Sequence, residues 1–141
     1  MEPGARSDVE GLAAQVGELS RRVLAFYEAE AQRVDLTLPQ ALLLHGLDRP
    51  TPMREVAEHQ HCDASNLTGI VDRLEARGLI VRQTRAADRR VKELVLTEEG
   101  RRLHDHFAGL TKHLPGFRTL EDRERAELER LLGKALAGFP D

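Results

Sequence analysis

The sequence has 141 residues, 40% hydrophobic and 32% charged, with a formal net charge of −3. That length holds one globular core, or one core with a helical extension, and excludes two full domains. A single cysteine, Cys62, excludes an internal disulfide and fits a reducing cytoplasm, where the protein is expected to act.

The Met1–Asp8 start has neither a basic head nor an apolar run, so no export signal is expected. Val9, Leu12, Ala13, Val16, Leu19, Val23, Leu24 and Tyr27 then recur at steps of three and four. This spacing predicts a long amphipathic helix over about 8–34. Thr37-Leu38-Pro39-Gln40 is a capping-box pattern with an early proline, opening a helix from Leu38 to about Leu47. Its unbroken apolar run, Ala41–Leu44, is far short of the roughly 18–20 residues that span a bilayer, and no membrane span is expected. Thr51-Pro52 reads as an N-cap followed by a proline at the first helical position, with Met53, Val56 and Ala57 facing inward.

After a break at His61-Cys62, Asp63 can cap a further helix. Its Leu67, Ile70, Val71 and Leu74 fall at i, i+3, i+4 and i+7, and Gly78 stands where a left-handed C-terminal residue belongs. These two helices make a helix-turn-helix. Leu79–Thr84 and Val91–Leu96 are strand-like and flank the polar segment 85–90, a hairpin with an arginine-loaded tip. Thr97 caps the next helix, whose buried side is Leu103, Phe107 and Leu110 and which Pro115-Gly116 should end. A last stripe of Leu128, Leu131, Leu132, Ala135, Leu136 and Phe139 closes the chain. Long terminal helices with such stripes pair with each other or with a second subunit.

Charge is unevenly placed. Between Arg49 and Lys92 there are 9 basic and 6 acidic residues, and between Arg77 and Lys92 there are 6 basic residues against Asp88 alone. A basic middle between acidic ends suits a face that meets a polyanion. Of the 21 basic residues 18 are arginine, the side chain suited to bidentate phosphate and guanine contacts.

A helix-turn-helix followed directly by a hairpin is a winged helix, whose second helix can enter the major groove while the wing reaches backbone or minor groove. With Leu67, Ile70, Val71 and Leu74 inward, the residues left outward are Ser65, Asn66, Thr68, Gly69, Asp72 and Arg73. A solvated helix face would look the same, and the arginine-tipped hairpin is what favours a DNA-binding one. Arg54, in the same basic block, is added to this interface.

The order of motifs resembles the MarR family of transcriptional regulators. The resemblance rests on Leu36-Thr37-Leu38-Pro39-Gln40, on Val71-Asp72-Arg73-Leu74-Glu75-x-Arg77-Gly78-Leu79, and on Asp88-x-Arg90-x-Lys92-x-x-x-Leu96-Thr97-x-x-Gly100. It implies a mostly α fold with a small β-hairpin wing: a winged helix-turn-helix lobe at about 36–100, with dimerisation helices at about 8–34 and 115–139. It further implies a homodimer reading a palindromic site of roughly 16–20 base pairs on double-stranded DNA. Arg90 would then enter the minor groove, positioned by a salt bridge from Asp88, as narrow A·T-rich grooves attract guanidinium groups. Arg85 and Arg89 would contact phosphates or be ordinary exposed arginines, and Arg73 and Arg77 join them as weaker members of the set.

Family members often answer to a phenol or aromatic acid, and the resemblance points to Arg22, Phe26, Tyr27, His45 and His104 as a ligand pocket. Phe26 and Tyr27 also fit a plain core or interface. His59-Gln60-His61-Cys62 invites a redox or metal-responsive reading, but a buried structural cysteine is the reading that turn favours. No metal site and no cofactor are assigned. No Gly-x-x-x-x-Gly-Lys loop, Gly-x-Ser-x-Gly elbow or His-Glu-x-x-His motif occurs, so no enzyme is expected. A winged helix used for protein contacts is the remaining alternative, and it has no need of the arginines at the wing tip.

Overall fold

A computed structural model describes residues 8–60 and 64–140, without the side chains of Ala64 and Ser65. The expected break at His61-Cys62 and the Asp63 cap lie outside the described residues. The elements run α1 (Val9–Gln32), α2 (Leu38–Gly46), β1 (Thr51–Pro52), α3 (Met53–Gln60), α4 (Ala64–Ala76), β2 (Ile80–Thr84), β3 (Lys92–Leu96), α5 (Glu98–Thr111), α6 (Pro115–Arg118) and α7 (Asp122–Leu136). The chain divides into two compact units, residues 1–107 and 108–141. No described helix is long and apolar enough to cross a membrane.

Local chemistry sets most boundaries. The Asp8 carboxylate accepts the Gly11 N–H at 2.8 Å and caps α1. In front of α2 the capping box closes in both directions, Gln40 N–H donating to Thr37 Oγ1 and Thr37 N–H to Gln40 Oε1. Gly78 has φ 70°, the left-handed turn that frees the chain from α4 into β2. Thr97 Oγ1 accepts the Gly100 N–H at 3.0 Å at the start of α5.

Two expectations need correction. Thr51 does not cap a helix: its hydroxyl donates to Arg49 O at 2.8 Å, and Thr51-Pro52 form a short strand opposite Leu94 and Glu93 of β3. Pairing with the open edge of the hairpin outweighs the local capping signal, and an edge strand tolerates proline. The wing is therefore part of a three-stranded antiparallel sheet, ordered β1-β3-β2. Nor does Pro115 end α5, which stops at Thr111. Pro115 instead opens the one-turn helix α6, where its missing N–H costs nothing.

The core of the first unit is Leu43, Leu44, Leu47, Val56, Leu67, Val71, Leu74, Ile80, Leu94 and Phe107, all essentially without solvent contact. Of the expected inward stripe of α4, Leu67, Val71 and Leu74 are fully buried and Ile70 is half-buried. Burying each such side chain is worth about 1.5–3 kcal/mol, so this set rather than helix propensity holds the lobe together. At the ends of the chain the apolar stripes are uncovered: Val9, Leu12, Val16 and Leu24 on α1, and Leu131 and Leu136 on α7 with Phe139 beyond it.

Candidate nucleic-acid interface

The outward side of α4 follows from its buried side. With Leu67, Val71 and Leu74 inward, Asn66, Thr68, Gly69, Asp72 and Arg73 are exposed. Apart from its chain neighbours and the backbone of its own helix, nothing lies within 4 Å of the position a Cβ would take on Gly69, so that turn of the helix is open to close approach. Arg73 forms no ion pair among the described residues. The Ser65 side chain lies outside the described set. Arg54 on α3 is exposed and reaches Glu58, one turn on, at 3.4 Å.

The hairpin is in register from Ile80↔Leu96 to Thr84↔Lys92, and Arg85 N–H donates to Val91 O at 3.0 Å at its throat. Beyond that, residues 86–90 are exposed. The expected Asp88–Arg90 salt bridge is not formed. Instead the Asp88 carboxylate accepts the backbone N–H of Arg90 at 3.0 Å, an aspartate turn that shapes the tip and leaves the guanidinium outside it. Arg89 and Arg90 both extend into solvent with no ion pair among the described residues.

Two other arginines of the set are already engaged. Arg85 Nε donates to Glu93 Oε1 at 2.6 Å, and Glu93 is almost completely buried. The Arg77 guanidinium donates to the carbonyls of Asp35 at 2.5 Å and Val34 at 3.1 Å, which ties the end of α4 to the turn between α1 and α2. That turn needs the tie, since Asp35 is held at φ 56°. Arg82, not singled out from the sequence, bridges β2 to α4 by donating to Asp72 and Glu75. The hydrogen bond to Asp72, more than any other contact, holds its guanidinium more firmly protonated than usual. No local pattern marks this residue, because its partners lie across the helix-to-strand turn.

Comparison with known proteins places likenesses beside this geometry. Residues 36–92 match the sequence model described as MarR family. Over that segment, which is less than half of the chain, the sequence is similar to the MarR family. It is 33% identical over 97 residues to the HTH-type transcriptional regulator YfiV of Bacillus subtilis, covering 66% of this chain and 59% of that one. It is 26% identical over 124 residues to the HTH-type transcriptional regulator MgrA of Staphylococcus aureus, covering 86% and 84%. A solved structure of Streptococcus pneumoniae FabT in complex with DNA superimposes with a TM-score of 0.79 at 20% identity, over 92% of this chain and 96% of that one. At that identity the likeness is one of fold, and it identifies the winged helix.

Four of the five residues expected to form a ligand pocket meet in one column of rings. Phe26 packs edge-on against Tyr27 at 5.9 Å, Tyr27 stacks on His45 at 6.3 Å, and His45 lies 6.2 Å from His104, between ring centroids. Arg22 stands apart, exposed and paired with Glu18 at 2.6 Å on its own helix. Burial first, and the neighbouring His104 second, push the His45 pKa below its ordinary 6.5. His45 Nδ1 is buried without a hydrogen-bond partner, the kind of orphan a bound polar group would satisfy. In the His59-Gln60-His61-Cys62 segment, His59 is exposed and Gln60 Nε2 donates to Leu42 O at 3.5 Å, while His61 and Cys62 lie outside the described residues.

Proposed function

We propose that this protein is a MarR-type, sequence-specific regulator of transcription that binds double-stranded DNA as a homodimer. The observation that carries the proposal is the wing tip, where Arg89 and Arg90 project from a turn fixed by Asp88 with no carboxylate taking up their charge among the described residues. Arg90 would enter a minor groove while α4 lies in the adjacent major groove, with Ser65, Asn66, Thr68 and Arg73 toward base edges and phosphates. Arg54 and Arg89 would add phosphate contacts, and Arg77 and Arg85 would act through the elements they hold. The fold it shares with a DNA-bound regulator supports the docking mode.

The dimer would form through the uncovered stripes of α1 and α7, since leaving Val9, Leu12, Val16, Leu131 and Leu136 in water forfeits their burial energy. Two lobes related by a twofold axis would read a palindrome, most simply as a cytoplasmic repressor. A small aromatic acid or phenol, seated by Phe26, Tyr27, His45 and His104, would relieve it by changing the spacing of the two recognition helices.

Selection of genomic fragments by the purified protein tests this, with affinity followed from about 50 to 200 mM salt. Recovery of a palindrome of roughly 16–20 base pairs with a steep salt slope supports the proposal. Binding that is weak and indifferent to sequence at every salt concentration overturns it and favours a winged helix built for protein contacts.

A further inference from the structure

Asp72 on the exposed face of α4 and the half-buried Glu75, one turn on along the same ridge, place two carboxylates near Arg73 and the face that would meet DNA. Near a polyphosphate backbone each uncompensated carboxylate repels the ligand and cancels one favourable cation. Arg82 on β2 answers both. Its Nη2 donates to Asp72 Oδ1 at 2.5 Å, its Nη1 to Glu75 Oε2, and its backbone N–H to Glu75 Oε1 at 3.3 Å. Opposite Leu94 in the β2–β3 ladder, its main chain is fixed by the sheet. Its side chain is only 28% exposed, against 58% for Asp72, so the cation is the sheltered member of the group. Planar and bidentate, a guanidinium can span two carboxylates in a way an ammonium cannot.

We propose that Arg82 is a positioning residue for DNA binding: it offsets one of the two negative charges of Asp72 and Glu75 and draws their oxygens toward the sheet, leaving Arg73 as the cation this face offers to phosphate. The inference rests on the DNA-binding reading above. It assigns Arg82 an electrostatic duty on the interface without requiring that Arg82 touch DNA.

The test compares the wild type with R82Q, D72N/E75Q and D72N/E75Q/R82Q, using a mixed-sequence duplex of about 30 base pairs at about 100 mM salt, with thermal melting and oligomeric state recorded for each. R82Q should bind about tenfold more weakly, and the triple variant, which carries no charge at these three positions, should bind at least as tightly as the wild type. D72N/E75Q, which keeps Arg82 and releases its charge, should bind at least about twofold more tightly than the wild type. If R82Q does not fold, this last variant decides the matter by itself. Weaker binding by D72N/E75Q, or a folded triple variant that stays as weak as R82Q, overturns the proposal and leaves Arg82 a structural tie. Failure of the wild type itself to bind any duplex would instead overturn the DNA-binding reading on which it rests.

Discussion

The Asp88 carboxylate holds the backbone N–H of Arg90, not its side chain, at 3.0 Å. The wing tip is thus shaped by a local turn, while the guanidinium remains available to a groove. R90A should lower DNA affinity more than tenfold and leave the dimer intact. D88A loosens the turn and should cost about threefold to tenfold, the worth of one hydrogen bond, while D88N keeps an acceptor and should cost less. Fluorescence anisotropy with a labelled duplex measures all three. An R90A protein that binds like the wild type would remove the wing from the interface.

Two glycines should answer differently to alanine. At Gly100 a Cβ would lie 1.9 Å from Leu79 O, a backbone atom that also accepts the Thr97 N–H at 3.1 Å and so has little room to move. G100A should therefore destabilise by about 3 kcal/mol or more. At Gly78 the surroundings are open but φ is 70°, so G78A meets only the left-handed penalty of about 1–2 kcal/mol. Urea unfolding at fixed protein concentration compares them. A G100A protein as stable as G78A would contradict the packing of α5 against the β2 entry.

Arg77 should read out in stability before DNA binding. Its guanidinium satisfies two carbonyls of the turn between α1 and α2. R77A should lower stability by about 1 kcal/mol and shift DNA affinity by less than about threefold once the folded fraction is accounted for. A loss of affinity with unchanged unfolding would show that Arg77 meets phosphate directly.

His45 makes stability depend on pH with a definite sign. Burial lowers its pKa in the folded protein below 6.5, so below that value the unfolded chain binds more protons than the folded one. Its contribution is complete above pH 6.5 and is lost as the pH falls toward the depressed folded value. His104, its ring centroid 6.2 Å away, lowers the His45 pKa further. The melting temperature of the wild type should fall more between pH 7.5 and 5.5 than that of H45Q. Parallel pH profiles for the two proteins would show that His45 protonates freely in the folded state.

Elements whose signal is local were legible in the sequence. The Thr37–Gln40 capping box, the left-handed Gly78 and the inward Leu67, Val71 and Leu74 required only neighbours within one or two helical turns. The family resemblance, read from the same segment, agrees with the match over residues 36–92. Thr51-Pro52 misled for the complementary reason: its capping signal is local, but the free edge of β3, more than 40 residues on, claimed it as a strand. Charge partners were likewise hidden. Sequence marked Asp72, Arg77, Arg85 and Arg90 by type and position alone. Only folding decided that Arg82 spans Asp72 and Glu75, that Arg77 holds the carbonyls of Val34 and Asp35, and that Asp88 grips main chain. Helical spacing fixes which residues share a face, but an ion pair also needs a second element to arrive within about 3 Å, and that distance is set by the packing of the core.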